Sequence, residues 1–222
     1  MTEGTAKQAL VTTGATVTFE ALIRAVLEPR FLETLAQHGY ERVVVQYGRS
    51  ERSVTVIRAA LGALGDRVSV ASERDEPDTG HTVCGTYHSD VGGVSLKCIQ
   101  FDVRLIERYT RRSELVISHA GTGSIMDTLR VRAGAAQPAR RPPRLIVMVN
   151  TGLQDNHQTE IAQAFESLGV VTSVATGAEL TDAVVRTERA AAAAAAPTVV
   201  LPEACGGAVE AVVADELLPD SA

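Results

Sequence analysis

The chain is short of several things. It has no tryptophan, and aromatic residues are only 4% of its 222 residues. Its cores must therefore be built from aliphatic side chains. Among its 21 basic residues only Lys7 and Lys97 are lysine. Its three cysteines, Cys84, Cys98 and Cys205, are far apart with no CxxC pair. This excludes a zinc ribbon or a thioredoxin-type motif and reads as reduced thiols. No long apolar run exists: the densest, Leu145–Val149, is far below the roughly 18 residues that span a bilayer. Met1–Gln8 is polar and lacks the apolar stretch of a secretory signal. A net charge of −6 argues against a chain that is basic throughout and binds nucleic acid. At 45% hydrophobic and 22% charged residues, the composition is that of an ordinary folded domain rather than a disordered chain.

What is present is a repeated alternation. Ala9–Thr13 is a short apolar strand that runs into Gly14. Phe19, Leu22, Ile23, Val26 and Leu27 then recur with helical spacing, with Thr18 as expected N-cap and Pro29 as breaker. Further helices are expected at Arg30–His38, Ser53–Leu64, Asp102–Arg112, Gly123–Arg132, Asn156–Leu168 and Gly177–Ala190. Further strands are expected at Arg42–Tyr47, Val94–Phe101, Glu114–Ser118, Arg144–Val149 and Val170–Val174. Asp66–Gly93, mixed in Gly, Pro, Asp, Ser and Thr, reads as a long loop with room for one small hairpin. Strands alternating with helices of this length predict an α/β fold: a Rossmann-like, largely parallel sheet with helices on both faces. The domain is expected over residues 1–190. Residues 191–222 are expected to be an Ala/Pro linker and an amphipathic C-terminal helix or tail.

Charge is uneven. Thr128–Gln154 carries Arg130, Arg132, Arg140, Arg141 and Arg144 and no acid, whereas the chain beyond Ala190 has acids and no base. The plain reading is solvated loop and tail. The functional one is a basic face near phosphates and an acidic tail that docks on something basic.

In such sheets ligands sit at the carboxyl ends of the strands. Three loops there carry chemistry. Ser118-His119-Ala120-Gly121-Thr122-Gly123-Ser124 follows one strand and opens a helix. Its glycines permit close backbone approach, and the helix N-terminus offers unpaired amides to a diphosphate. Ser118, Thr122 and Ser124 add hydroxyls, and Asp127, one turn on, suits the vicinal hydroxyls of a ribose. The pattern is neither GxxxxGK[ST] nor GxGxxG, which disfavours P-loop hydrolysis and standard NAD binding. Asp155-Asn156-His157-Gln158 opens a second helix with four hydrogen-bonding side chains suited to a sugar, or simply with an ordinary N-cap. Thr12-Thr13-Gly14-Ala15-Thr16 is the third and the least specific. His119 and His157 could each serve as a base or merely as a hydrogen-bonding group.

VTTGAT, VVQYG, LVISHAGTGSI and DNHQTEIA, in this order over roughly residues 9–175, closely resemble the catalytic subunits of UDP-N-acetylglucosamine transferase. This is the asparagine-linked-glycosylation protein thirteen family. The insert 133–143 and the alanine run depart from the family pattern. The resemblance implies the donor-binding half of a GT-B glycosyltransferase that inverts at the anomeric carbon and uses no metal or other cofactor, UDP-GlcNAc being a substrate. It implies GlcNAc transfer to GlcNAc-diphosphodolichol, in N-glycosylation, on the cytosolic face of the endoplasmic reticulum. The partner it implies is a membrane-anchored, acceptor-binding subunit of the protein-fourteen type, and no nucleic acid. Carried over by motif, Ser118, Ala120, Gly121, Thr122, Gly123 and Ser124 hold the diphosphate and Asp127 the ribose. Asn156, His157 and Gln158 face the sugar, and Gly14 lies toward the acceptor. The base is His119 or a group of the partner chain. A non-catalytic, nucleotide-sugar-binding scaffold subunit is the alternative, and turnover separates the two. A one-chain nucleotide-sugar epimerase is a third reading, which activity of the chain alone would favour.

Overall fold

A computed structural model describes residues 6–133, 143–150 and 157–193, without the side chains of residues 132, 133 and 157. Eight strands form one sheet: β1 (Gln8–Thr12), β2 (Arg42–Gln46), β3 (Val68–Glu76), β4 (Gly80–Ser89), β5 (Gly92–Ile99), β6 (Leu115–Ser118), β7 (Arg144–Met148) and β8 (Thr172–Val174). Their spatial order is β3-β4-β5-β2-β1-β6-β7-β8. From β5 to β8 every pairing is parallel, whereas β3–β4 and β4–β5 are antiparallel.

The central strands carry unbroken apolar runs because both faces are covered. Ala9 and Val11 of β1 point into one core and Leu10 into the other. Val43 and Val45 oppose Val44 on β2, and Leu115 and Ile117 oppose Val116 on β6. The first core is completed by helices α1 (Glu20–Val26), α2 (Pro29–Gln37) and α3 (Glu51–Ala63) and by the long last helix, α7 (Gly177–Ala193). They contribute Leu22, Ile23, Phe31, Leu35, Ile57 and Leu180. The second is closed by α5 (Thr122–Ala133) and α6 (His157–Ser167), through Ile125, Leu129 and Ala162, and by the short α4 (Leu105–Arg108). Each such aliphatic side chain contributes about 1.5–3 kcal/mol on burial. The expected α/β class, with helices on both faces, is the observed one.

Three local expectations are corrected. Asp66–Gly93 is not a loop: most of it forms β3 and β4, which extend the sheet beyond β5. The polar residues of β3 face solvent, so no apolar alternation marks the strand, and backbone pairing holds it. Tyr87 anchors β4: it is fully buried, donates to the Pro29 carbonyl (3.3 Å) and accepts from Arg67 (3.1 Å). Asp102–Arg112 is not one helix but α4 and a separate 3-10 turn, Thr110–Arg112. The buried Asp102 carboxylate receives the Arg104 amide (2.8 Å) and Arg108 (3.0 Å), which shapes the segment before α4. Thr18 does not cap α1; its hydroxyl pairs with Ser53 at 2.8 Å, and Phe19 is the N-cap residue. Pro29 is the first residue of α2, where its missing N–H costs nothing. The C-terminal segment 191–222 lies outside the described residues from position 194 on.

Candidate functional site

The sheet itself selects the location. The chain runs from β1 through β2 to the edge strand β3, comes back inward through β4 and β5, then crosses to β6 on the other side of β1 and runs outward to β8. The connections therefore diverge between β1 and β6, and a crevice forms beyond their carboxyl ends. Thr12 and Ser118, the last residues of the two strands, are register partners, so the loops that follow them start side by side.

His119 joins the loops. Its amide donates to the Thr12 carbonyl at 3.1 Å, and Nδ1 meets the same oxygen at 3.3 Å. A carbonyl only accepts, so Nδ1 carries the proton and Nε2 is left with its lone pair free. Burial lowers the imidazole pKa below its ordinary 6.5, against a smaller opposing effect of the Thr12 carbonyl. The ring packs against two glycines. A Cβ at Gly14, whose φ is +86°, would meet Nε2 at 3.0 Å, and one at Gly121 would meet it at 2.4 Å. Ala120 between them takes φ 63°, a left-handed conformation that costs a non-glycine residue about 1–2 kcal/mol. The loop is thus held in a shape that brings the first turn of α5 up to the crevice.

A cavity of about 380 Å³ occupies this place. Its polar lining includes Thr12, Gln46, His119, Ser124, Asp127 and Thr128; Gly14, Gly121 and Gly123 also border it. Much of its apolar lining comes from the segment after β5: Phe101, Val103, Leu105 and Ile106. The first helical bond of α5 is Ile125 N–H to the Gly121 carbonyl, at 3.1 Å. The preceding amides of its opening turn are therefore available to an anion. Ser118 is fully buried, and its Oγ has no hydrogen-bond partner among the described residues. Native structures rarely leave such a group unpaired except where something else binds it.

Of the residues expected at the site, Gly14, His119, Gly121, Gly123, Ser124 and Asp127 line one cavity. Ser118 and Ala120 lie buried beneath the loop. Thr122 is exposed at the start of α5 and does not line the cavity. Gln158 is in the first turn of α6, its Oε1 buried without a partner. Asn156 and the His157 side chain lie outside the described residues. Asp127 is half exposed, with Arg130 3.9 Å away.

The sequence reading missed the other half of the lining. Gln46 ends the valine strand β2 fully buried. It accepts from the Asp102 amide (3.0 Å) and donates to the Thr12 hydroxyl (3.3 Å). It thereby fixes the loop after β5 relative to β1. A glutamine closing an otherwise apolar strand was the available signal. The apolar wall had none, since Phe101–Ile106 sits next to the crevice only through the β5–β2 pairing. Of the arginines read as a basic face, Arg140, Arg141 and the Arg132 side chain lie outside the described residues; Arg130 faces Asp127, and Arg144 joins an ion cluster with Glu188 at the opposite end of the sheet. Cys98 is a core thiol pushed up to about 12, chiefly by burial, and Cys84 is also free.

Residues 79–199 match the glycosyltransferase family 28 C-terminal domain. The UDP-N-acetylglucosamine transferase subunit ALG13 of Candida glabrata is 39% identical over 80% of this chain and 85% of its own length. That of Saccharomyces cerevisiae is 37% identical over 76% of this chain and 78% of its own. The chain belongs to the ALG13 family. The NMR solution structure of ALG13 superposes with a TM-score of 0.58 at 32% identity, covering 84% of this chain and 85% of that one. As an ALG13-family protein the chain is a glycosyltransferase subunit, and its sheet is the fold of that family. Among the described residues, no helix of this ALG13-family chain is long and apolar enough to cross a membrane.

Proposed function

We propose that the chain is the donor-binding subunit of an inverting N-acetylglucosaminyltransferase. It would move GlcNAc from UDP-GlcNAc onto GlcNAc-diphosphodolichol, in the second step of dolichol-linked oligosaccharide assembly. The observation that carries this reading is the cavity at the divergence of β1 and β6, which opens on the first turn of α5. Its lining combines apolar and polar groups, as the parts of a nucleoside-diphosphate sugar require. The uracil lies against Phe101, Val103 and Ile106, the ribose hydroxyls reach Asp127, and the diphosphate sits on Gly121–Ser124. The sugar is received by Asn156, His157 and Gln158, whose buried, unpaired Oε1 suits a hydroxyl donor. Gly14 marks the side from which the acceptor enters.

In the transfer the acceptor 4-hydroxyl attacks the anomeric carbon and its proton passes to a base. The bond from that carbon to the UDP oxygen breaks, giving a β1,4 linkage with inversion. Charge that develops on the leaving diphosphate is stabilised by the α5 amides and helix dipole, without metal or cofactor. His119 is the base this chain can supply: its Nε2 is unprotonated and its burial keeps the ring neutral. A group on the partner is the other source.

One Rossmann-like half binds the donor; a membrane-anchored partner supplies the acceptor half and the location on the cytosolic face of the endoplasmic reticulum. The test is reconstitution of the chain with that partner, UDP-GlcNAc and a lipid-diphosphate-GlcNAc acceptor. Disaccharide should form only with both chains present. UDP-GlcNAc binding without turnover in a folded complex would leave a non-catalytic binding subunit instead.

A further inference from the structure

The cavity is to receive a diphosphate, yet among the described residues no lysine or arginine lines it; its acidic residues are Asp102, paired with Arg108, and Asp127. The opening turn of α5 offers roughly half a positive charge, against at least two negative charges on a nucleoside-diphosphate sugar. The described lining adds no cation to this balance. The basic groups around the cavity are mostly engaged: Arg104 and Arg108 bind Asp78, Arg52 binds Glu20, and Arg130 faces Asp127.

Arg49 differs. It follows β2 at the same end of the sheet, three residues beyond the cavity-lining Gln46. Its amide donates to the Ala15 carbonyl (2.8 Å), and its carbonyl accepts from Gln100 (3.1 Å). Both Ala15 and the neighbouring Phe101 line the cavity. The guanidinium lies over the Phe101 ring, 4.0 Å from the centroid, and has no acidic partner among the described residues. Stacking on an aromatic face pre-orders an arginine without using any of its five N–H donors. An exposed, pre-ordered guanidinium with every donor free is what a phosphate group needs for bidentate recognition.

We infer that Arg49 is the side-chain cation of this site: held over Phe101 at the cavity's edge, it receives a phosphate group of a bound diphosphate substrate. This rests on the glycosyltransferase reading above. The diphosphate belongs either to the sugar nucleotide or to the lipid-linked acceptor, and the chemistry at Arg49 is the same for both.

The experiment has two arms. In the first, calorimetry measures inorganic pyrophosphate binding to the chain. Arg49→Met should weaken it at least fivefold, and Arg49→Lys, which keeps the charge without the fork, should weaken it less. In the second, the reconstituted complex gives KM for each substrate. A rise of about tenfold or more for UDP-GlcNAc places Arg49 on the donor; the same rise for the acceptor alone places it there. The wild-type KM should climb with salt, and the Arg49→Met slope should be flatter, a change that a purely structural role would not produce. Phe101→Leu should shift the same KM in the same direction by a smaller factor. Pyrophosphate binding and both KM values within twofold of wild type in folded Arg49→Met would overturn the inference. Absence of turnover in the wild-type complex would instead overturn the glycosyltransferase reading, while the pyrophosphate arm still decides Arg49.

Discussion

Gly121 accommodates a hydrogen and nothing larger, because a Cβ there would lie 2.4 Å from His119 Nε2. Gly121→Val must push the ring out of the crevice or distort the loop. Calorimetry should show UDP-GlcNAc binding weakened at least about 100-fold, about 2.8 kcal/mol at 1.4 per decade. Overpacking should cost about 1–3 kcal/mol of stability. Binding within threefold of wild type would remove this loop from the site. His119 itself gives a pH signature. Its native pKa is lowered by burial, so between the unfolded value near 6.5 and the lower native value only the unfolded chain takes up the proton. Its contribution to stability is therefore complete above pH 6.5 and declines as pH falls toward the native pKa. Denaturant titrations across pH 4.5–8 should show this decline in wild type and a flatter curve in His119→Asn. The acid limb of kcat/KM should lie below pH 6.5 and vanish in that variant if His119 is the base. At this scale much was legible. The SHAGTGS string announced glycines for close approach and a helix N-terminus for an anion. Its histidine's tautomer was not legible, because the Thr12 carbonyl that sets it is 107 positions away.

At the scale of elements, α7 is fixed to the sheet by a half-buried ion cluster at the end opposite the cavity. Glu188 accepts from Lys7 (2.9 Å), Tyr40 (2.6 Å) and Arg144, while Lys7 also lies 4.2 Å from the Tyr40 ring centroid. Burial works to raise the Glu188 pKa; the hydrogen bonds from Tyr40 and Lys7, with the charges of Arg144 and Lys7, outweigh it and lower the value. Its contribution is therefore present above about pH 4.5 and lost as pH falls through the lower native pKa. Glu188→Ala strands two cations and should destabilise the chain by about 3 kcal/mol in urea titrations at pH 7. A change under 0.5 kcal/mol would mean the cluster is solvated in solution. Most elements were legible because parallel strands buried on both faces carry continuous apolar runs, as at Val43–Val45 and Leu115–Ile117. The strand Val68–Glu76 was not: a solvent-facing edge strand held by backbone bonds needs no side-chain pattern. The segment Asp102–Arg112 misled because its helical composition was overruled by one buried carboxylate and its two donors.

At the scale of the whole molecule, two aliphatic cores share the same strands, so neither can melt while the other persists. Thermal unfolding should show one transition. UDP-GlcNAc at about 100 times its Kd should stabilise the fold by ~2.7 kcal/mol. For a chain of this size that raises the midpoint by roughly 5–10 °C, at 2–4 °C per kcal/mol. Differential scanning calorimetry should find the rise in wild type and none in Gly121→Val. No rise in wild type at that concentration would show that the isolated chain does not hold the sugar nucleotide.

The amino-acid order by itself determined the α/β class, most of the strands and helices, and the glycine-bearing loop that opens α5. These follow from local period, capping and glycine placement, which act over a few residues. Only the tertiary structure decided what stands opposite that loop. The pairing of β5 with β2 brings Phe101, Val103 and Ile106 to the crevice, and Gln46 ties them to Thr12. Packing also sets Arg49 over Phe101, 52 positions further along the chain, with no acidic partner among the described residues. Register and stacking across a sheet depend on contacts that no local pattern encodes. The shape and electrostatic balance of the site therefore emerged only once the sheet was assembled.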